Sequence, residues 1–418
     1  MIYLYTLCLS GGGFRAALFH LGVIRRLIYL DIFKKVKRIN SVSGGSIAAG
    51  MVMKEYTING MFNSVEDFDK RVIVPIIDFI QQSPKHNIYK IIPVQKDSKK
   101  FEKLLDKYLY NQMLFSELSK DIKWVCYATS LNSMMAWKFS QTSIGDLKTG
   151  FTTPGDKDKI SFAVSASACF PPLFKPVRFV TEGRVFSHNT RTGSREAVIN
   201  KHPAKEILLV DGGVYDNLSS ESVLRKDSSF IISDSTSMPD IWENNQGTGF
   251  EKLKRFIDIS LDQNSKLRRR LIFKKLSERQ DSILIETAKN LTTYTTEEIP
   301  EKPNPTPTER MPVYQVPPYN IERKIGLIRT DLNAFHDLEI QLILWNGAVK
   351  LDAAMKRWVP NNIKDEHWYD TPKLNLAEEE LLKSVEILNK GKEMRIYREA
   401  HKELHFNEEL RVNISQKL

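Results

Sequence analysis

The order of strand-like and helix-like segments predicts an α/β fold with a mainly parallel central sheet. The chain opens with a short apolar segment, 2–9, that is rich in strand-forming residues and leads into three glycines. A helical pattern follows at about 16–30, then a second strand at about 38–42 and a second helix from Ser46. Parallel neighbours need a crossover connection, so a strand–helix–strand–helix order is typical of a parallel sheet covered by helices.

Composition places the chain among ordinary globular proteins. Its 418 residues are 41% hydrophobic and 10% aromatic, enough for one large domain or two medium ones, and this excludes a disordered chain. The formal net charge of +10 and the sequence pI near 9.2 favour an anionic partner such as a membrane surface, an anionic lipid, a nucleotide or a nucleic acid. Solubility alone is the alternative explanation of this charge.

The cysteines and the apolar segments indicate the compartment. Cys8, Cys126 and Cys169 lie in apolar stretches without a CxxC pattern, so we interpret them as buried thiols in a reducing compartment. The apolar N-terminal segment lacks a basic region before it, which favours a strand over a signal peptide. The apolar run near 72–80 is much shorter than the roughly 20 residues that span a bilayer. We therefore expect a cytoplasmic protein, or one peripheral to a membrane.

Hydrophobic periodicity and proline content outline the rest of the chain. A proline-rich segment at 298–318 is interpreted as an extended surface connection or a mobile flap. Asp337 is the predicted N-cap of a strong helix with an apolar stripe. That stripe consists of Ile340, Leu344, Ala348, Leu351 and Met355. Further strands are predicted at 124–129, 136–142, 206–210 and 230–233, and further helices at 98–110, 160–170 and 250–276.

The predicted helix at 250–276 combines apolar spacing with positive charge. Its apolar residues recur at helical spacing on one face, at Leu253, Ile257, Leu261, Leu267 and Leu271. A basic run extends over 266–275. Two interpretations stay open: a solvated face on a core helix, or a surface that attracts an anionic membrane or ligand phosphates.

Ser43 has the surroundings of a nucleophile. It lies between the predicted strand ending at Val42 and the helix that follows, with small neighbours at Ser41, Gly44 and Gly45. A serine at the apex of a strand–turn–helix is the layout of a nucleophile elbow, in which small neighbours let the two backbones pass closely. The motif is short, so the other catalytic parts must come from elsewhere in the chain.

The glycine run Gly11–Gly12–Gly13 has three interpretations. A phosphate-binding P-loop is excluded because no Lys and Ser/Thr follow the last glycine. The run fits a dinucleotide fingerprint, but Ser43 stands where an acidic residue should bind the ribose. The third interpretation is an oxyanion hole, since successive backbone N–H groups at a helix N-terminus favour negative charge.

A base for Ser43 is the remaining part. None of the eight histidines follows a predicted strand, and His20 is interpreted as structural. His401 and His405 lack the glutamate of a zinc protease helix and a third ligand, so no metal site is expected. Asp211 ends an apolar strand and precedes Gly212 and Gly213, where α/β sheets place ligands; a simple Asp-Gly turn is the alternative. Asp211 is thus the best partner for Ser43.

Four motifs in this order resemble the patatin-like phospholipase family, bacterial type. They are Gly11-Gly12-Gly13-Phe14-Arg15, Ser41-Val42-Ser43-Gly44-Gly45, the segment from Ser165-Ala166-Ser167 to Pro176, and Asp211-Gly212-Gly213. The resemblance covers about residues 2–235, and the helix from Asp337 resembles the family's bacterial C-terminal region.

The resemblance implies a three-layer α/β/α patatin-like fold with a helical C-terminal region, and hydrolysis of acyl esters through an acyl-enzyme. Ser43 would be the nucleophile and Asp211 the base of a Ser–Asp dyad. Gly11, Gly12 and Gly13 would form the oxyanion hole together with Gly44. Arg15 would order the loop, and Gly45, Gly212 and Gly213 would have supporting roles. Ser41 replaces the first glycine of the family's G-x-S-x-G pattern.

These inferences give a catalytic domain at 1–358, which includes the helix near 250–276 and the proline-rich loop, and a charged helical extension at 359–418 packed on it. We expect phospholipid or another lipid ester as substrate, at the inner face of the membrane, without metal, cofactor or nucleic acid. A homo-oligomer is an open expectation. One alternative is a membrane-degrading effector of bacterial antiphage defence switched on by an anionic nucleotide. Another is a non-catalytic patatin-like binding protein.

Overall fold

The computed structural model describes residues 4–82, 98–189, 195–199, 204–225, 228–236, 249–279, 281–296 and 305–390. The strands are β1 Tyr5–Leu9, β2 Val36–Val42, β3 Lys123–Ser130, β4 Met135–Ser140, β5 Ile144–Asp146, β6 Gly150–Thr152, β7 Val177–Val180, β8 Phe186–Asn189, β9 Arg195–Ile199, β10 Glu206–Asp211, β11 Ser229–Asp234 and β12 Ile283–Glu286. The helices are α1 Gly13–Tyr29, α2 Gly44–Asn59, α3 Val65–Phe68, α4 Val74–Gln82, α5 Ser98–Leu105, α6 Ile160–Ser167, α7 Gly213–Asp216, α8 Glu221–Arg225, α9 Gly249–Ser277, α10 Leu291–Thr295, α11 Ile321–Gly326, α12 Asp337–Trp358 and α13 Glu378–Lys390.

One sheet carries all of these strands, and its two halves differ in direction. The order is β12-β11-β1-β2-β3-β4-β5-β6-β8-β9, with β10 joined to β3 and β7. The pairs from β12 to β3 are parallel, whereas those beyond β3 are antiparallel. The predicted α/β fold is confirmed: the parallel part contains the strand–helix–strand opening, and the antiparallel part contains the hairpins β3–β4, β4–β5, β5–β6 and β8–β9. The glycine run and Ser43 follow β1 and β2 at the same edge.

Strand β10 reaches the site from an unexpected direction. It runs antiparallel to β3, pairing Asp211 with Ala128, while β2 runs parallel to β3 and pairs Val42 with Tyr127. The last residues of β2 and β10 therefore lie beside consecutive residues of β3. The two strands approach along the same edge of β3 and meet end to end, which brings the turn after Val42 to Asp211.

Helix α12 packs against α1, α10 and β12. Its predicted apolar stripe is buried, as are all its residues from Leu338 to Trp358. The predicted N-cap is wrong by one residue, because His336 caps the helix: its ring Nδ1 accepts a hydrogen bond from the Leu338 N–H at 3.1 Å. The Glu339 carboxylate accepts from the His336 N–H at 2.9 Å and completes a capping box.

The C-terminal part of the chain is described as far as Lys390. Helix α13 packs on α11 and α12. In the proline-rich segment, Thr306 bonds to the end of α12: its N–H donates to the Arg357 carbonyl and its hydroxyl to the Lys356 carbonyl, both at 2.7 Å. Residues 297–304, and 391–418 with both candidate metal histidines, lie outside the described residues.

Cysteine burial and helix hydropathy bear on the remaining expectations. All three cysteines are free and buried, as predicted, and burial raises the thiol pKa of Cys8 and of Cys126 to about 12. In the described ranges, no helix combines the length and the apolar content that crossing a bilayer requires. The same ranges hold no cluster of three or more His, Cys, Asp or Glu side chains arranged for a metal ion.

Candidate active site

Ser43 lies at the apex of a tight turn between β2 and α2. Its backbone has φ 51° and ψ −121°, a conformation that non-glycine residues rarely adopt. The neighbouring glycines are required by close backbone approach: a Cβ on Gly44 would lie 1.9 Å from the Gly13 carbonyl oxygen, and one on Gly45 would lie 2.6 Å from that of Leu9. The turn thus has the strained geometry that the sequence predicts for an elbow.

Ser41, the departure from the family pattern, is fully buried and has hydrogen-bond partners. Its hydroxyl oxygen accepts from the indole Nε1–H of Trp124 at 2.9 Å and from the Ser46 hydroxyl at 3.0 Å. A glycine would leave both donors without this acceptor. The turn therefore accommodates serine because β3 and α2 supply donors to it.

Ser167, at the end of α6, lies in one of the four motifs, but the sequence assigns it no role at the site. Its hydroxyl accepts from the Ser43 N–H at 2.8 Å and donates to the Tyr127 carbonyl at 2.6 Å. Its own carbonyl accepts from the Gly212 N–H at 3.1 Å. One residue thus binds the backbone of both candidate catalytic turns. The signal in the sequence is the motif that begins at Ser165, together with the serine-rich character of the apolar run at 160–170.

The glycine run turns sharply into α1, with φ 135° at Gly12 and 61° at Gly13. The N–H of Gly11 donates to the Asn217 carbonyl at 3.0 Å, so this predicted oxyanion donor is already engaged. The N–H groups of Gly12, Gly13 and Gly44 have no acceptor among the described residues. A Cβ on Gly44 would lie 3.1 Å from the Gly13 nitrogen, which places these backbones side by side.

Asn217, unlike Ser167, lies outside the four motifs. Its side-chain oxygen would lie 2.2 Å from a Cβ added to Gly11 and 2.6 Å from a Cβ added to Gly213. The amide therefore fills the space between the glycine run and the turn after Asp211. Both glycines lack a side chain where this amide needs room.

Arg15 supports the loop from behind. The guanidinium is fully buried and donates to the carbonyls of Ser235 at 2.8 Å, Gly326 at 3.0 Å and Ile328 at 2.7 Å. Burial lowers the pKa of Arg15 to about 10. These bonds join the helix after the glycine run to the end of α11 and to the segments after β11 and α11.

Asp211 is 3% exposed and Ser43 8%. Burial raises the pKa of Asp211 to about 7; the Gly213 N–H, which donates to its Oδ1 at 2.7 Å, and the interaction with the Ser43 side chain lower the pKa less than burial raises it. A carboxyl group with this pKa can hold or release a proton near neutral pH.

His20 is structural, as predicted. Its ring nitrogens bond to the Ser233 hydroxyl at 2.7 Å and to the Ser10 carbonyl at 2.9 Å. The side chain is fully buried, and burial lowers the pKa of His20 to about 4. Both nitrogens are thus occupied beneath the glycine run, and neither serves Ser43.

Comparison with solved structures finds similarity at low sequence identity. Human GIVD cytosolic phospholipase A2 is 10% identical, over 92% of this chain and 63% of its own, with a TM-score of 0.47. The structure of its complex with methyl gamma-linolenyl fluorophosphonate is 12% identical, over 93% of this chain and 60% of its own, with a TM-score of 0.46. VipD from Legionella pneumophila is 14% identical, over 99% of this chain and 90% of its own, with a TM-score of 0.33. This chain spans less than two thirds of the human protein.

Comparison with sequences gives one clear result. No match is found among curated proteins. The model of the family described as patatin-like phospholipase matches residues 7–223, which contain the glycine run, the Ser43 turn and Asp211. Because this match covers more than half of the 418 residues, the chain belongs to the patatin-like phospholipase family.

Proposed function

We propose that this chain is a lipid acyl hydrolase that cleaves carboxylic esters of glycerophospholipids with a Ser43–Asp211 dyad. The observation that carries the proposal is the meeting of β2 and β10 along β3, where Val42 and Asp211 pair with the consecutive residues Tyr127 and Ala128. It sets the strained Ser43 turn beside a buried carboxyl group. Membership of the family supports a lipid ester as substrate.

The first half-reaction begins with proton transfer. The Asp211 carboxylate accepts the Ser43 hydroxyl proton as the Ser43 oxygen attacks the ester carbonyl. The negative oxygen of the tetrahedral intermediate accepts hydrogen bonds from the N–H groups of Gly12, Gly13 and Gly44, which have no other acceptor among the described residues. Collapse of the intermediate breaks the ester C–O bond. The departing alcohol oxygen takes the proton from Asp211 and leaves an acyl group on Ser43.

The second half-reaction restores the enzyme. Asp211 accepts a proton from water as the water oxygen attacks the acyl carbonyl. The same three N–H groups stabilise the second oxyanion. The Ser43 oxygen then leaves, recovers the proton from Asp211 and releases the fatty acid.

The test is lipid mass spectrometry of membranes exposed to the wild type, to Ser43→Ala and to Asp211→Asn. We expect fatty acid and lysophospholipid from the wild type alone, and labelling of Ser43 by a fluorophosphonate probe in the wild type. Equal product from all three proteins would contradict the dyad. The assay repeated with a panel of cyclic nucleotides tests the nucleotide-activated alternative, which requires product only when a nucleotide is present.

A further inference from the structure

The outer face of α9 exposes large apolar side chains. Three of the five apolar residues that were predicted to share one face of this helix are more than half exposed, and two other apolar residues of α9 are also more than half exposed. These residues are Leu253, Phe256, Ile259, Leu267 and Leu271, with exposures of 51%, 67%, 51%, 56% and 55%. The helix instead buries its opposite side, at Ser265, Ile272 and Leu276. This pattern does not fit the interpretation of α9 as a core helix with a solvated basic face. In such a helix the apolar side chains would be buried, whereas here they are exposed to solvent.

Positive charge lies among these apolar residues. Lys252, Lys266, Arg270 and Lys274 are exposed on the same side of the helix. At about 100° per residue, the apolar and basic positions together occupy about 140° of the circumference. Asp258 and Asp262 lie outside this arc and are partly buried, although Asp262 reaches Lys266 at 2.6 Å. No acid whose side chain the structure describes lies within the arc.

The inner side of α9 is bonded to the segment that follows Asp211. Asn264 donates to the Tyr215 carbonyl at 2.8 Å, and Arg268 pairs with Asp216 at 3.3 Å. Arg269 pairs with Asp234, at the end of β11, at 2.7 Å. The helix therefore lies beside the edge of the sheet that carries the candidate site.

We propose that this outer face of α9 docks on an anionic lipid bilayer. Apolar side chains enter the boundary between headgroups and acyl chains, while the cations between them meet lipid phosphates. A second copy of the chain fits less well, because a self-paired face would set cations against cations. Docking would bring the site to its lipid substrate, and this part of the proposal rests on the proposed function.

The test uses the full chain carrying Ser43→Ala, so that vesicles stay intact during co-sedimentation. Vesicles of phosphatidylcholine alone are compared with vesicles that also contain phosphatidylglycerol. The apolar variant is Phe256→Ser/Leu267→Ser/Leu271→Ser, and its control is Val313→Ser/Tyr369→Ser, at residues exposed by 92% and 82%. The charge variant is Lys266→Gln/Arg270→Gln/Lys274→Gln, and its control is Lys120→Gln/Lys157→Gln, at exposed lysines on other elements.

We expect the parent to bind anionic vesicles and added salt to weaken this binding. The charge variant should bind anionic vesicles roughly a hundredfold more weakly, because each of its three cations strengthens binding to an anionic surface about fivefold. The apolar variant should lose binding to both vesicle types, and both controls should bind like the parent. The proposal is overturned if the parent binds neither vesicle type or if the apolar variant binds as the parent does. It is also overturned if light scattering shows that the apolar substitutions dissociate an oligomer while vesicle binding persists.

A second measurement separates this proposal from the proposed function. With Ser43 restored, both variants should cleave a water-soluble short-chain ester at the wild-type rate and lose hydrolysis of vesicle lipid. A wild-type protein that cleaves neither substrate would contradict the proposed function, whereas vesicle binding by the Ser43→Ala chain decides the docking proposal without any turnover.

Discussion

The hydroxyl of Ser167 accepts a hydrogen bond from the backbone N–H of Ser43 at 2.8 Å, and the Ser167 carbonyl accepts one from the Gly212 N–H at 3.1 Å. We predict that Ser167→Ala slows turnover about 10- to 100-fold with little change in KM, because small displacements of a nucleophile are costly. The variant also leaves the Ser43 N–H and the Tyr127 carbonyl buried without this partner, at about 1–3 kcal/mol of stability. Steady-state kinetics and denaturant unfolding measure the two effects.

Ser165→Ala is the matched control for this prediction. Ser165 is also a buried serine of α6, but its hydroxyl donates to the Ser98 carbonyl at 3.2 Å, away from the elbow. It should lose stability and keep its kcat. A Ser167→Ala protein with normal kcat at the same loss of stability would assign Ser167 to packing alone.

Ser41 and Trp124 should be energetically coupled. Ser41→Gly restores the family's pattern, yet we expect it to destabilise the protein by about 1–2 kcal/mol, because the buried Trp124 Nε1–H loses its acceptor. Trp124→Phe removes the donor. In the double variant neither partner is left unsatisfied, so its loss of stability should be smaller than the sum of the single losses by about 0.5–1.5 kcal/mol. Urea unfolding of the four proteins completes this double-mutant cycle, and additive losses would show that the bond is not a coupled pair.

The parts of the fold that could be predicted lie close together in sequence. The first strand, the glycine run, the second strand and the Ser43 turn follow one another within 45 residues, so hydrophobic period and glycine placement were sufficient. The buried stripe of α12 was predictable for the same reason. Local patterns report local geometry.

The parts that could not be predicted depend on distant pairing. The apolar pattern of β10 is the same for a parallel and an antiparallel strand, so it did not reveal that β10 meets β2 along β3. Ser167 lies 124 residues from Ser43, and its role appears only when α6 packs beneath the elbow. The spacing in α9 predicted a face but not which neighbour, if any, covers it.

Gly44 should be intolerant of any side chain. A Cβ there would lie 1.9 Å from the Gly13 carbonyl oxygen, which is backbone and must move with its whole loop. We predict that Gly44→Ala lowers kcat by about 10²- to 10³-fold, the cost of losing an oxyanion donor, because the shift displaces the Gly12 and Gly13 N–H groups. Hydrolysis of a soluble ester measures the loss.

Gly155→Ala is the matched control for Gly44. A Cβ at Gly155 would meet only the Asp158 carboxylate, at 3.9 Å, an ordinary contact. Its activity should equal that of the wild type. Wild-type kcat in Gly44→Ala would mean that this close approach does not position the donors.

The raised pKa of Asp211 predicts how activity depends on pH. Burial holds the pKa of this carboxyl near 7, and only the ionised form can accept the Ser43 proton. Below pH 7, kcat/KM for a soluble ester should therefore fall about tenfold per pH unit. A profile that stays flat down to pH 5 would exclude a base with this pKa.

The same shift predicts a pH-dependent gain of stability in Asp211→Asn. In the unfolded chain the carboxyl ionises near its usual 3.8, whereas the folded protein keeps the proton up to about pH 7. Between these values the unfolded state binds fewer protons, so the wild type loses stability as pH rises, and above pH 7 the loss is complete. Asp211→Asn does not titrate, so its Tm should exceed that of the wild type by a margin that grows from about pH 4 to pH 7 and is constant above. Asp156→Asn, which replaces an exposed carboxylate away from the site, is the control, and its Tm should stay close to that of the wild type. A margin for Asp211→Asn that is independent of pH would mean that the gain comes from packing and not from the buried charge.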